Sequence, residues 1–208
     1  MPIFVKENFP PILFGVYLMI FTILAFNPVD RLTWFVENLT VWIILGILIF
    51  LHIRGRRFSN LSYFFMAILI FLHTIGGHYT FALVPFDWFT DFFGFERNHY
   101  DRIAHFFVGF YAFPIAEWLR DKKLVANKFL LFTYPIFTIA FIAMFYEIIE
   151  WIVALNITPD AGNYYLGSQG DIWDAQKDMA LDTLGAIVAM AIFFLNPKLF
   201  TKFKKLKK

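Results

Sequence analysis

The segment 168-SQGDIWDAQKDMALDTLGAIVAMAIFFL-195 ends in a long apolar run, as a membrane-spanning helix does, but its first half carries four aspartates. These are Asp171, Asp174, Asp178 and Asp182. On a helix with about 100° per residue, all four share an arc of about 80° and extend over roughly 16 Å of the axis. A charged side chain near the bilayer centre costs about 2.5–3.5 kcal/mol on insertion scales. We therefore expect Asp178 and Asp182 to face a bundle interior or a water-filled cavity.

The composition of the whole chain indicates a multi-pass membrane protein. Of the 208 residues, 60% are hydrophobic, 22% are aromatic and only 16% are charged. A soluble domain is about half apolar, with roughly a quarter of its residues charged. Because one globular core of this size cannot bury so much apolar surface, we predict an all-α polytopic membrane protein with a single integral membrane domain, 1–208. The sequence contains no Cys, which excludes disulfides and thiolate metal sites.

Apolar runs of about 20 residues, the length that crosses a bilayer, predict a bundle of about six transmembrane helices. Their approximate bounds are 11–27, 35–53, 61–77, 100–119, 129–155 and 173–195. Most of the 18 Lys and Arg residues fall on one side of this arrangement, including a basic tail at 196–208. By the positive-inside rule, both termini are predicted to be cytoplasmic.

Ionisable side chains recur near the outward end of these predicted spans. The fourth span begins 97-RNHYDRIAHFFVGF-110, where Arg97, Asp101 and His105 recur every four residues and so share one face. The fifth span contains Glu147 and Glu150, one helical turn apart. So many residues that are costly in lipid are expected to meet, and we predict one polar pocket built by the third to sixth spans.

The predicted pocket has a floor and a mouth. Six residues are predicted for the floor, with catalytic roles: Asp101, His105, Glu147, Glu150, Asp178 and Asp182. Five residues are predicted to bind substrate: Arg97, Arg102 and His78, which are expected at the mouth, together with His99 and Asp174. Charge compensation within the bundle is the alternative role for the two arginines.

Carboxylates with imidazole suit Mg²⁺, Mn²⁺, Ca²⁺, Zn²⁺ or iron, so a divalent metal ion is a candidate cofactor. The candidate ligands are Asp101, His105, Glu150, Asp178 and Asp182. A His beside carboxylates also performs acid–base catalysis without a metal, and intramembrane acids also form proton or cation pathways. The residue types therefore permit a metal site but leave the metal and the reaction open.

Three motifs resemble a known family. They are RNHYDR-x-x-HF from residue 97, E-x-x-E-W from residue 147 and GSQGD-x-WDAQKDM from residue 167. Together they resemble the YjdF-like family of bacterial inner-membrane proteins, most clearly from the third span onward. The resemblance implies a multi-pass protein of the bacterial cytoplasmic membrane, and it implies no reaction because the family has no established function.

More distantly, the arrangement is similar to the VanZ-like group. Members of that group carry Asp-Lys-x-x-His-Phe at the start of one span and Asp-x-x-x-Asn-x-x-Gly on the last. The first motif matches 101–106, with Arg102 in place of Lys, and the second matches 178–185, with Asp182 in place of Asn. The additional acid favours a metal or proton role. The resemblance implies a role in the cell envelope, without an established reaction.

Three classes of function stay open on the sequence. The first is a membrane-embedded, metal-assisted enzyme that acts on a lipid-linked or anionic envelope substrate. The second is a proton- or cation-coupled transporter, although the cytoplasmic half offers only Glu117, which we expect to pair with Arg120. The third is a structural or partner-binding protein whose polar cluster only fixes the bundle. The expected partners are the lipid bilayer and such a substrate; nucleic acid is not expected, and the oligomeric state stays open.

Overall fold

The structure is a computed structural model that describes residues 8–156, 166 and 168–196. Eight α-helices lie within these ranges: α1 (Phe9–Leu24), α2 (Arg31–Ile53), α3 (Asn60–His78), α4 (Asp87–Phe93), α5 (Tyr100–Val108), α6 (Ala112–Asp121), α7 (Lys128–Leu155) and α8 (Asp174–Leu195). A 3₁₀ turn at Gly109–Tyr111 joins α5 to α6. The described part of the chain contains no β-strand, so the prediction of an all-α fold is confirmed.

Each of the six predicted spans corresponds to a helical segment. Helices α2, α3, α7 and α8 are long and apolar enough to cross a membrane. Helix α1 is shorter, at 16 residues, and the predicted fourth span corresponds to α5, the 3₁₀ turn and α6 taken together. The largest difference in bounds is at α2, which begins at Arg31 rather than 35. The predicted basic tail lies outside the described residues beyond Asn196, and the orientation of the termini stays a prediction.

Helix α8 lies at the centre of the bundle. It contacts α5, the 3₁₀ turn, α6 and α7. Its residues Ala186, Ala189 and Met190 are fully buried, and they pack with Phe110 and Phe113 in the main apolar core. By contrast, α7 leaves large apolar side chains exposed, which is the expected surface of a helix that faces lipid. The bundle therefore buries much of α8 at its centre and exposes a large apolar surface on α7.

Two glycines allow α8 and the 3₁₀ turn to cross in direct backbone contact. A Cβ atom on Gly185 would lie 1.9 Å from the carbonyl oxygen of Phe106, and a Cβ on Gly109 would lie 2.2 Å from the backbone nitrogen of Ala186. No side chain fits at either position without moving a helix. This crossing fixes the separation of α5 and α8 one turn away, where His105 and Asp182 face each other.

A buried polar cluster joins the start of α3 to α6. The buried carboxylate of Glu117 accepts hydrogen bonds from the Ser59 backbone N–H, at 3.0 Å, and from the hydroxyls of Ser59 and Ser62. Arg120, which is 1% exposed, lies 3.7 Å from Glu117 and 2.8 Å from Asp121. The expected pairing of Glu117 with Arg120 is therefore present, and the cluster anchors the start of α3 to α6.

Candidate functional site

A cavity of about 360 Å³ lies among α2, α3, α5, α7 and α8. Its lining includes eight carboxylates and two imidazoles: Glu37, Asp101, Glu147, Glu150, Asp171, Asp174, Asp178, Asp182, His73 and His105. We call it the acidic cavity. The structure thus brings all six residues predicted for the floor to one space, together with residues that the sequence did not single out.

Three of these side chains can converge on one ion. Ligand atoms of Asp101, His105 and Asp178 lie within 4.8 Å of one another. His105 Nε2 is 3.7 Å from Asp101 Oδ1. Two ligand atoms bound to one ion at about 2.0–2.2 Å stand roughly 2.8–3.6 Å apart at tetrahedral or octahedral angles. The trio is therefore wider than a metal-bound set, and its side chains would have to move closer together to bind one ion.

Asp178 has a buried carboxylate oxygen for which the described chain provides no hydrogen-bond donor. Its residue is only 3% exposed, and its Oδ1 has no hydrogen-bond partner within the part of the chain that the structure describes. A buried carboxylate oxygen without a partner is costly. A cation or a proton that occupies this position would remove that cost.

Asp182 orients the imidazole of the trio. Its carboxylate oxygens lie 3.2 and 3.3 Å from His105 Nδ1, and the residue is 1% exposed. If Nδ1 carries the proton, its N–H donates a hydrogen bond to the Asp182 carboxylate, and Nε2 faces Asp101. Metal-binding histidines are commonly held by such a carboxylate, which fixes the tautomer and the ring orientation. Asp182, which the sequence predicts as a possible metal ligand, thus contacts the imidazole of another predicted ligand, His105.

A second acid–imidazole pair stands on another wall of the cavity. His73 Nε2 lies 2.9 Å from Glu37 Oε2, and the Tyr146 hydroxyl donates a hydrogen bond of 3.4 Å to the same oxygen. Glu37 is 2% exposed. The sequence interpretation missed Glu37, because it assigned no site residue to the first two spans. The available signal was a single acid within an otherwise apolar stretch of α2.

The glycine pair at the end of α3 makes room for this wall. A Cβ on Gly77 would lie 2.9 Å from Glu37 Cβ, and a Cβ on Gly76 would lie 2.3 Å from the Phe81 ring. Phe81 has a positive φ of 53° and packs edge-on against His73, with ring centroids 5.2 Å apart. Neither glycine ends the helix; both lie within α3 and permit close packing around Glu37 and His73.

At the mouth of the cavity, the predicted substrate-binding arginines contact aspartates. Arg97 bonds Asp174, and Arg102 bonds Asp171 and lies 3.4 Å from Asp174. Lys177 Nζ lies 2.6 Å from Asp171 Oδ2. This is the charge-compensation arrangement that the sequence left open as an alternative for the arginines.

Asp171 does not extend the helical stripe of aspartates. Helix α8 begins at Asp174, and Asp171 precedes it in a turn, where its Oδ1 accepts a hydrogen bond from the Trp173 backbone N–H at 3.1 Å. The hydrogen bond from Lys177, with that from Trp173, holds the pKa of Asp171 well below its ordinary value. The expectation that all four aspartates lie on one helix is therefore wrong for Asp171, although it still faces the cavity.

Of the two histidines predicted to bind substrate, His78 lies away from the acidic cavity, and His99 lies beside Arg102 at its mouth. His78 Nδ1 is 2.7 Å from the carbonyl oxygen of Leu24, so this side chain ties the end of α3 to the end of α1. His99 Nδ1 is 3.3 Å from Arg102 Nη1, and burial, followed by the charges of Arg102 and Arg97, lowers its pKa. Neither residue lines the acidic cavity. His78 is the last residue of α3 and His99 immediately precedes α5, and helical periodicity does not give the direction of side chains at such helix ends.

Comparisons with known proteins identify relatives but no mechanism. A family model described as "Predicted membrane protein (DUF2238)" matches residues 9–198. The chain is 36% identical to the inner membrane protein YjdF of Escherichia coli (strain K12), over 77% of each chain. No solved structure matches. The chain therefore belongs to the DUF2238 family of membrane proteins.

Proposed function

We propose that the protein is a membrane-embedded, metal-dependent enzyme whose acidic cavity acts on a lipid-linked or cell-envelope substrate. The observation that carries the proposal is the convergence of Asp101, His105 and Asp178 within 4.8 Å, with Asp178 Oδ1 buried and without a partner in the described chain. A divalent ion at this position would supply Lewis-acid activation of a substrate oxygen or of a water molecule.

Residues around the trio are suited to move protons. Glu147 and Glu150 line the same cavity, and Glu147 Oε1 is buried without a hydrogen-bond partner in the described chain. The Glu37–His73 pair places an imidazole nitrogen 2.9 Å from a carboxylate oxygen, and a His beside a carboxylate can act as a general acid or base. The cavity therefore combines a candidate metal site with proton donors and acceptors on separate helices.

The shape of the cavity favours an amphiphilic substrate. Its lining continues from the acids to an apolar wall of Val41, Ile44, Leu69, Ile70 and Ile142. A substrate with a polar group and a hydrocarbon chain could place the first among the acids and the second along this wall. That polarity supports a lipid-linked substrate over a small polar solute.

The packing below the cavity favours an enzyme over a transporter. A layer of fully buried apolar side chains in α6 and α8 separates the acidic cavity from the Glu117 cluster. The layer includes Phe113, Ala186, Ala189 and Met190. A transport pathway would need polar positions through this layer. In the described residues, ionisable groups lie on either side of it.

The direct test is the metal content of the purified protein, measured by elemental mass spectrometry in detergent. We expect near-stoichiometric divalent metal in the wild type, and loss of metal in Asp178→Asn and in His105→Ala. The matched control is Asp91→Asn, which removes an exposed carboxylate of α4 that does not line the cavity. A folded wild type that takes up no metal when titrated with Mg²⁺, Mn²⁺ or Zn²⁺ would contradict the proposal and favour a structural polar core.

A further inference from the structure

A second concavity lies on a different face of α5 and α8. It is an open groove of about 530 Å³, lined by Phe89, Phe95, His99, Arg102, Ile103, Phe106, Lys177, Ala180 and Leu181. We call it the interfacial groove. None of its lining residues lines the acidic cavity. It therefore needs an explanation of its own.

The groove changes from basic to apolar along both helices. On α5, Arg102 is followed by Ile103 and Phe106, and on α8, Lys177 is followed by Ala180 and Leu181. Since both series run from the N-terminal end of a helix, the basic groups share one end and the apolar groups extend from it. A phospholipid has the same polarity, with a phosphate at the interface and acyl chains deeper.

The charge of the groove favours an anion. Its described lining contains Arg102, Lys177 and His99 but no Asp or Glu. Both Arg102 and Lys177 also contact Asp171, which lies just outside this lining, so a phosphate would share them with that carboxylate. Lys177 is also accessible, because its side chain is 49% exposed.

Aromatic side chains border the same end of the groove. Phe95 packs against His99 with ring centroids 4.3 Å apart, and Phe89 lies 6.0 Å from Phe95. On helix α4, which contains Phe89, Trp88 and Phe92 are 67% and 78% exposed. Exposed aromatic residues are enriched where proteins meet the headgroup layer. This position matches the level at which a lipid phosphate would sit.

We infer that the interfacial groove binds an anionic phospholipid, with its phosphate at Arg102 and Lys177 and an acyl chain along Phe106 and Leu181. The inference does not depend on the metal-dependent activity, since it uses the opposite face of α5.

The test is native mass spectrometry of the detergent-solubilised full chain, titrated with phosphatidylglycerol or with phosphatidylcholine of the same acyl chains. We expect phosphatidylglycerol to bind more tightly than phosphatidylcholine. Lys177→Gln should weaken phosphatidylglycerol binding about fivefold, as expected for one basic residue near a membrane surface. Lys122→Gln, at an exposed cation beyond α6, is the matched control and should leave it unchanged.

A second variant tests the apolar part without changing a charge. Ala180→Phe would fill the groove and should weaken phosphatidylglycerol binding, whereas Leu184→Phe, one turn along α8 and outside the groove lining, should not. Equal binding of the two lipids, or equal effects of Lys177→Gln and Lys122→Gln, would overturn the inference. Every measurement is the amount of bound lipid, so the result can be interpreted even if the protein binds no metal.

Discussion

The substitution Asp182→Asn tests whether Asp182 binds the metal itself or only orients the metal ligand His105. Asp182 is 1% exposed, and both of its carboxylate oxygens lie 3.2–3.3 Å from His105 Nδ1. Asn has nearly the same shape and keeps one oxygen that can accept a hydrogen bond from the Nδ1–H group. It removes the negative charge. Replacing such an outer carboxylate typically lowers metal affinity 10–100-fold, or about 1.4–2.8 kcal/mol.

The expected order of metal affinity is wild type, then Asp182→Asn, then Asp178→Asn. The assay is titration of the purified variants with Mn²⁺ or Zn²⁺ in competition with a chromophoric chelator, with helix content checked by circular dichroism. Asp91→Asn serves as the control for removal of a carboxylate outside the cavity. If folded Asp182→Asn bound metal as tightly as the wild type, or lost it as completely as Asp178→Asn, the assigned division of roles would be wrong.

Three further outcomes follow from the packing and charges. Gly185→Ala places a Cβ 1.9 Å from the Phe106 carbonyl oxygen and should destabilise the bundle by about 1–3 kcal/mol or more; Gly46→Ala, with nothing within 4 Å, is the control in thermal unfolding followed by circular dichroism. Glu37→Gln should keep the metal stoichiometry of the wild type, because its carboxylate contacts His73 and Tyr146 rather than the trio. Asp171→Asn should lower the melting temperature at neutral pH. Since the pKa of Asp171 is lowered in the folded state, its stabilisation is present above its unfolded pKa of about 3.9 and is lost as pH falls, so the difference should shrink only below about pH 4.

The helices were predictable because length and apolar composition determine them in a membrane. The six predicted spans needed only the bilayer thickness and the hydropathy of each run. The convergence of Asp101, His105 and Asp178 was also within reach, since helical spacing places acids and imidazole on inward faces. Helical spacing could not predict that His105 contacts Asp182, because this contact depends on the backbone crossing at Gly109 and Gly185.

The failures have a common physical origin at helix ends. Gln169 and Gly170 have positive φ values of 49° and 85°, which a right-handed helix cannot contain. Helix α8 therefore begins after them, and Asp171 leaves the helical stripe. His78 likewise lies at the last residue of α3, where its ring contacts the Leu24 carbonyl group instead of the cavity. Glu37 differs, because its partners come from α3 and α7, and only packing between helices reveals them.

The electrostatics of the acidic cavity limit what it can contain. Away from the mouth, its lining has six carboxylates and two imidazoles: Glu37, Asp101, Glu147, Glu150, Asp178, Asp182, His73 and His105. Two like charges 4 Å apart repel by about 4 kcal/mol at an effective dielectric constant of 20. The nearby arginines, Arg97 and Arg102, contact Asp171 and Asp174 at the mouth. The cavity must therefore hold protons, a cation or both. A divalent ion at the trio would neutralise two charges where an oxygen of Asp178 has no partner among the described residues.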